Sequence, residues 1–396
     1  MRIYHYESKS RDSYIPKVDF DLSDKMYREY RKNGDPFYNK NLDYFSCQPH
    51  AKAVVYIAAD DKAVQAARVK KKREAGLPEL DVNVHEIVPY IFREQSYKNK
   101  RMNLLVPSIN TCHVFGGIAT ALKFYDRVLE ATGYDARIIL VDAMPDKEAR
   151  LKYEAMGYTF VKAGENSDAP KQIVAYSDRL AQSIPVSKND YFMLTGWWTA
   201  YCVQDAYVEF EQKYGIAANP LLYFIQDYEP GFYPWSTRFM LADSTYRSPM
   251  KTIAVFNSML LKEYFDKNGY EFYQSFAFDP VLNDGLRKAL EELPEEIEKK
   301  KRIIVYGRPG TERNAFNLVV AALRKWVCLQ PDYMEWEVLS AGEMHRSVPL
   351  GNGMELVSVG KLTIEEYAKL LEESYAGISL MCSPHPSYPP LEMSVF

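Results

Sequence analysis

Residues 103–129 read NLLVPSINTCHVFGGIATALKFYDRVL, and this stretch decides the fold class. Asn103 to Pro107 is a short apolar run without polar alternation, as expected of a strand covered on both faces. Gly116 and Gly117 then mark a tight turn, and Ile118, Leu122, Tyr125 and Leu129 recur at roughly helical spacing. Strand, glycine turn and helix predict a βα unit of a parallel sheet.

The pattern repeats outward from there. Arg137 to Val141, Tyr191 to Thr195, Leu221 to Gln226 and Thr252 to Phe256 read as further buried strands, with helical stretches between them. A charged stretch, Glu291 to Arg302, reads as part of a helix and places a domain boundary near residue 295. Alternation resumes with strands at Ile303 to Tyr306, Trp336 to Leu339 and Gly377 to Met381. A helical stripe falls on Phe316, Val319, Val320, Leu323 and Val327. Thr363 and Glu366 form the capping box of a helix running to Glu373. The fold class is therefore α/β, with two doubly wound domains: 1–95 as a partly helical N-terminal extension, 96–295, and 296–396. Helix is expected near Asp60 to Glu74, with the basic run Lys70 to Arg73 on a solvated face. The last domain shows three clear strands, and a helix begins only at Leu391. It is expected to be incomplete, and the chain to be of low stability and activity for that reason.

Composition removes several function classes. The 396 residues are 47% hydrophobic and 26% charged, with net charge −4, so the basic excess of a nucleic-acid binder is lacking. Five cysteines, Cys47, Cys112, Cys202, Cys328 and Cys382, are scattered, which points to a reducing, cytoplasmic setting and away from disulfide or zinc frameworks. No run approaches the roughly 18 apolar residues of a membrane helix; peripheral membrane contact stays open. Aromatics reach 14%, which fits packing and also stacking on sugar faces.

Polar loops follow several of the expected strands, where ligands bind in open α/β sheets. VFGGIAT, 114–120, offers paired glycines, Gly116 and Gly117, and a helix N-terminus, with His113 flanking them. It is neither GxGxxG nor a P-loop, and the glycines also suit a plain turn. QDYEPGFYP, 226–234, carries Asp227 and Glu229, whose spacing permits a metal, general base work, sugar hydroxyl binding or a solvated turn. YGRPGTERN, 306–314, carries Gly307, Arg308 and Arg313, whose guanidinium groups suit a diphosphate. SAGEMH, 340–345, offers Gly342 and Glu343 to a base or ribose. SPHPSYPPLEM, 383–393, carries His385, Ser387 and Glu392, the last near a helix start and suited to sugar hydroxyls. Trp197 and Trp198 suit a core, or the border of an acceptor site.

Together VFGGIATAL, FIQDYEPGFYPW, YGRPGTERNAFNL and SPHPSYPPLEM resemble the WsaF-type rhamnosyltransferases, collinearly from about Asn103 to Phe396. The resemblance implies the GT-B architecture, two facing Rossmann-like domains. It implies transfer of L-rhamnose from dTDP-β-L-rhamnose to a polysaccharide or lipid-linked glycan acceptor, with retention and without a bound metal or other cofactor. Arg308 and Arg313 resemble the groups that hold the leaving diphosphate. Gly116 and Gly117 resemble the loop that approaches the donor phosphates. Glu392 matches the second of two glutamates common in retaining relatives; the first falls on Pro384, beside His385. Asp227 and Glu229 receive no role from the resemblance. Two rivals are a nicotinamide-dependent oxidoreductase, disfavoured by the missing GxGxxG, and a non-catalytic subunit of a glycan assembly complex.

Overall fold

The structure is a computed structural model and describes residues 17–33 and 84–396, except 115, 180–181, 295–296 and 386. The chain divides into two units, 1–83 and 84–396. In the first, a helix spans Lys17–Asn33, which apolar-run reading does not single out because its apolar residues are spread singly among charged ones. The helix expected near Asp60 to Glu74 lies outside the described residues.

In the second unit the strands are β1 (Phe92–Glu94), β2 (Arg101–Val106), β3 (Asp135–Leu140), β4 (Thr159–Lys162), β5 (Lys171–Ala175), β6 (Ile184–Val186), β7 (Asp190–Leu194), β8 (Leu221–Ile225), β9 (Thr252–Phe256), β10 (Gln274–Ala277), β11 (Lys300–Gly307), β12 (Glu337–Gly342), β13 (Val348–Gly351), β14 (Met354–Gly360) and β15 (Ser374–Ile378). A parallel eight-stranded sheet has the order β10-β9-β8-β7-β2-β3-β5-β4. A five-stranded sheet has the order β13-β14-β12-β11-β15 and is parallel except for the β13–β14 hairpin. A small sheet pairs β1 with β6.

Both faces of the larger sheet are covered, which is why its strands read as unbroken apolar runs. Leu105 and Ile139 enter one core with the helix Trp197–Tyr214; Leu104, Val106, Ile138 and Leu140 enter the other with Ala121 and Tyr125 of the helix Gly116–Thr132. In the smaller sheet Val305 and Leu356 pack against the stripe Phe316, Val319, Val320, Leu323 and Val327 of the helix Phe316–Leu329. The chain thus carries two Rossmann-like α/β layers, the arrangement named GT-B above. The strand order of each reverses beside the strand that enters it first among its long strands. In the larger sheet β3 lies on one side of β2 and β7 on the other; in the smaller, β12 and β15 flank β11. Such reversal points are where open α/β sheets leave a crevice beyond the strands' carboxyl ends.

The centre of the larger sheet is tied together by a buried charge cluster. Asp190, at the start of β7, is 0% exposed and accepts hydrogen bonds from Arg101 Nε at 2.7 Å and Nη2 at 3.0 Å, Asn103 Nδ2 at 2.8 Å and Ser187 N–H at 2.7 Å. Arg137 of β3 stands 3.6 Å from the same carboxylate and donates to Asn103 Oδ1. Burial raises the Asp190 carboxyl, but Arg137, Arg101 and Asn103 outweigh it and hold it below the ordinary value.

Several boundaries differ from expectation. The stretch from Glu291 to Arg302 is not a continued helix: the helix Asp284–Glu291 stops short of Pro294, and Lys300 to Arg302 begin β11. Their charges are met at the sheet's solvent end, Lys301 by Asp332 and Glu335, and Arg302 by Glu337 and Glu373. The smaller sheet has five strands among the described residues, where three were expected. The missed hairpin turns at Gly351, Asn352 and Gly353, all at positive φ, and Asn-Gly is a strong turn signal that apolar-run counting passes over. The last strand is Ser374–Ile378, three residues earlier than expected, because pairing with β11 starts directly after the helix Ile364–Glu373. The final helix begins at Tyr388, ahead of Leu391, with prolines in its first turn. The capping box of Thr363 and Glu366 is present.

Asp190→Ala leaves two guanidinium groups buried against a lost partner, and should lower unfolding stability by about 3–5 kcal/mol. Because the native carboxyl is held low, its contribution is present above the ordinary carboxylate pKa and disappears as pH falls through the native value. Urea melts at pH 7 and pH 3 check this: a variant as stable as the parent at pH 7, or a difference as large at pH 3, contradicts it.

Candidate functional site

The carboxyl ends of both sheets open on one cavity of about 750 Å³. The larger sheet contributes Gly116 and Gly117 beyond β2, Thr195 after β7, Gln226, Asp227 and Glu229 after β8, and Asn257 after β9. The smaller contributes Arg308 after β11, Gly342 and Glu343 at β12, Arg313, and His385, Ser387 and Glu392 beyond β15.

Gly116 sits at φ +44°, a left-handed conformation that suits glycine. A Cβ on Gly117 would lie 2.9 Å from Gln226 Oε1, so the second glycine makes room for a polar side chain of the neighbouring strand end.

Contacts cross the cavity between the two sheets. Arg313 Nη1 stands 3.6 Å from Asp227 Oδ2, and its guanidinium lies 3.9 Å over the ring of Phe232. Ser383 donates a short hydrogen bond to Asp227. His385, buried, reaches Ser258 Oγ at 3.2 Å and Asn257 Nδ2 at 3.4 Å. Burial pulls the imidazole below its ordinary pKa, Asp227 opposing that and Arg313 reinforcing it.

Asp227 and Glu229 turn to different partners. Glu229 is buried, and its carboxylate accepts from Trp197 N–H at 2.6 Å, at the start of the helix Trp197–Tyr214, and from the hydroxyls of Tyr246 at 3.3 Å and Tyr223 at 3.4 Å. A carboxyl suits the N-terminal end of a helix. Burial nevertheless pushes it up to about 8, with the Asp227 charge adding and the Trp197, Tyr246 and Tyr223 hydrogen bonds opposing. Among the described residues, no three His, Cys, Asp or Glu side chains cluster as a metal site.

On the smaller sheet, Glu343 accepts from Gly310 N–H at 2.9 Å and holds the Arg308 to Thr311 turn. Arg308 itself projects exposed into the cavity. Glu392 faces Tyr367; burial raises its carboxyl above the ordinary value while the nearby Tyr367 hydroxyl opposes. Ser387 has φ +67° at the entry to the helix Tyr388–Val395.

Eleven of the candidate residues therefore line one cavity: Gly116, Gly117, Asp227, Glu229, Arg308, Arg313, Gly342, Glu343, His385, Ser387 and Glu392. Two do not. Gly307 is a packing glycine, since a Cβ there would meet Ser340 Oγ and Phe316. His113 pairs with Ser108 Oγ at 3.0 Å instead of lining the cavity. Trp197 is core; Trp198 is half-buried beside it. Sequence reading missed Asn257, Thr195 and Tyr367 as cavity residues. The first two directly follow strands that were legible, and that position was the available signal.

Comparison with known proteins places the chain. Residues 101–259 match the family described as "WsaF, N-terminal domain", and residues 301–396 match "WsaF, C-terminal domain". The "O-antigen biosynthesis protein RfbC" of Myxococcus xanthus is 29% identical over 99% of this chain, which spans 30% of that protein's length. An α,α-trehalose-phosphate synthase (UDP-forming) from Burkholderia vietnamiensis is similar in structure over 72% of this chain and 78% of its own, with TM-score 0.42 and 9% identity.

The raised Glu229 carboxyl carries a stability signature. Between the ordinary carboxylate value and about 8 the folded chain binds more proton than the unfolded chain, so stability falls as pH rises across that window. Glu229→Gln keeps an acceptor for Trp197 N–H and removes the titration. Thermal melts from pH 5 to 9 should show the variant gaining on the parent as pH rises; parallel curves would refute the assignment.

Proposed function

We propose that this chain, which belongs to the WsaF family, is a glycosyltransferase that moves a sugar, L-rhamnose from dTDP-β-L-rhamnose, onto a growing polysaccharide or lipid-linked glycan. The observation that carries the reading is the convergence of Arg308, Arg313 and two strand-end loops on one cavity whose far wall holds the half-buried carboxyl of Glu392. The name of the Myxococcus xanthus relative, an O-antigen biosynthesis protein, supports a polysaccharide acceptor.

Breaking the glycosidic bond builds positive charge on the anomeric carbon and negative charge on the departing diphosphate. Arg308 and Arg313 offset that negative charge, joined by free N–H groups at the start of the helix Gly116–Thr132. Diphosphate binding exchanges Asp227 for phosphate oxygens at Arg313. The carboxyl of Glu392 meets sugar or ribose hydroxyls, with Tyr367 setting its position. Cover from both sheets keeps water from the donor. We take the transfer to retain anomeric configuration and to use guanidinium groups, not a metal, for the leaving group. Free thiols at Cys112, Cys202, Cys328 and Cys382 suit a cytoplasmic setting. Among the described residues no helix is long and apolar enough to cross a membrane; we take contact with a lipid-linked acceptor to be peripheral. Pro384 at the first glutamate position favours a second reading, a non-catalytic subunit of a glycan assembly complex.

Arg308 is exposed, so its removal should not unfold the chain. Arg308→Ala is expected to lower kcat for transfer from dTDP-L-rhamnose roughly 10²-fold, with an unchanged melting temperature. Glu392→Ala should weaken donor binding roughly 10-fold by calorimetry. Full turnover in Arg308→Ala removes that residue from the mechanism. A folded parent chain that binds the donor but never turns it over, with acceptor glycan supplied, moves the reading to the subunit.

A further inference from the structure

Asn257 follows β9 at the floor of the cavity and is 3% exposed. Its main-chain N–H donates to Ile225 O at 3.3 Å, which locks it to the end of the neighbouring strand. Its Nδ2 donates across the cavity to His385 Nε2 at 3.4 Å. That bond makes Nε2 the acceptor, so Nδ1 carries the proton and donates to Ser258 Oγ at 3.2 Å. The side chain is thus oriented from two sides. Its Oδ1 is buried and has no hydrogen-bond partner. A buried acceptor without a donor is costly and rare, and here it belongs to a residue that lines the cavity.

The surroundings restrict what can satisfy it. Arg308 and Arg313 line the same cavity and disfavour a cationic donor. A phosphate group brings acceptor oxygens and no proton, so the diphosphate cannot meet an amide oxygen. A neutral N–H or O–H remains, and a sugar supplies the O–H. A hydroxyl both donates and accepts, and so meets this end of the amide in either orientation of its oxygen and nitrogen.

We propose that Asn257 is a specificity-determining residue that reads a hydroxyl of a pyranose ring through Oδ1, the larger sheet's contribution to recognising the sugar. The inference rests on the glycosyltransferase reading. It assigns to Asn257 the sugar and not the nucleotide, whether that sugar is the one transferred or the one that receives it.

The test compares two probes on the full chain, dTDP and dTDP-L-rhamnose, by calorimetry, together with KM for the acceptor glycan. Asn257→Ala is expected to weaken dTDP-L-rhamnose roughly 5–10-fold while dTDP stays within about 2-fold of the parent. If the hydroxyl is the acceptor's, both nucleotides bind as before and the acceptor KM rises by the same factor. Asn257→Asp, which keeps an oxygen in place, should recover most of either loss. Asn257→Ser carries the same comparison if the alanine variant does not fold. Equal weakening of dTDP and dTDP-L-rhamnose would reduce Asn257 to a structural prop beneath His385 and overturn the proposal, as would three unchanged constants. A parent chain that binds neither nucleotide sinks the glycosyltransferase reading, and this inference with it.

Discussion

Asp190 is the group on which the larger sheet depends. It sits at the amino ends of the central strands, facing Arg101 on β2 and Arg137 on β3. Two buried guanidinium groups beside one carboxylate are tolerable only in good geometry, because each removed charge costs several kcal/mol of desolvation. That geometry exists in one register, with Arg101 opposite both Asp135 and Asp190. The cluster therefore does more than neutralise charge. It sets where β2, β3 and β7 begin, and hence where their opposite ends release the loops that line the cavity.

At those opposite ends the chemistry is less settled by pairing. Arg313 has Asp227 and Phe232 as partners across the cavity, and Asp227 also holds Ser383. These contacts join the two sheets through polar groups that a bound diphosphate can compete for. Glu229, by contrast, is committed to the helix start at Trp197 and to two tyrosine hydroxyls. Two acids one residue apart thus serve different ends, one at the cavity mouth and one in its supporting wall.

Much of the scaffold was legible. Thr252 to Phe256 was read as a strand to the residue, since a fully covered parallel strand is an unbroken apolar run. The stripe from Phe316 to Val327 and the box of Thr363 and Glu366 were legible because helical spacing and capping are local. Strands absent from the sequence reading are of two kinds: β4, β10, β13 and β14 have exposed residues that break the apolar run, whereas β1, β5 and β6 carry apolar runs of at most three residues. Lys300 to Arg302 misled because charge suggests a solvated helix, whereas acids on neighbouring turns accommodate it at a strand's start.

Sequence alone determined the α/β class, the repeated strand–loop–helix order and the polar loops that end in the cavity, all consequences of local periodicity and turn chemistry. Tertiary structure decided which loop residues meet. Ser383 and Asp227 are 156 positions apart, and His385 and Asn257 are 128 apart. No local pattern records such a pairing. It follows from crossovers that bring the carboxyl ends of two parallel sheets to one crevice. The same closure buried Gly307 against Ser340, turned Glu229 toward a helix end, and left the amide oxygen of Asn257, a residue of the cavity lining, buried without a donor.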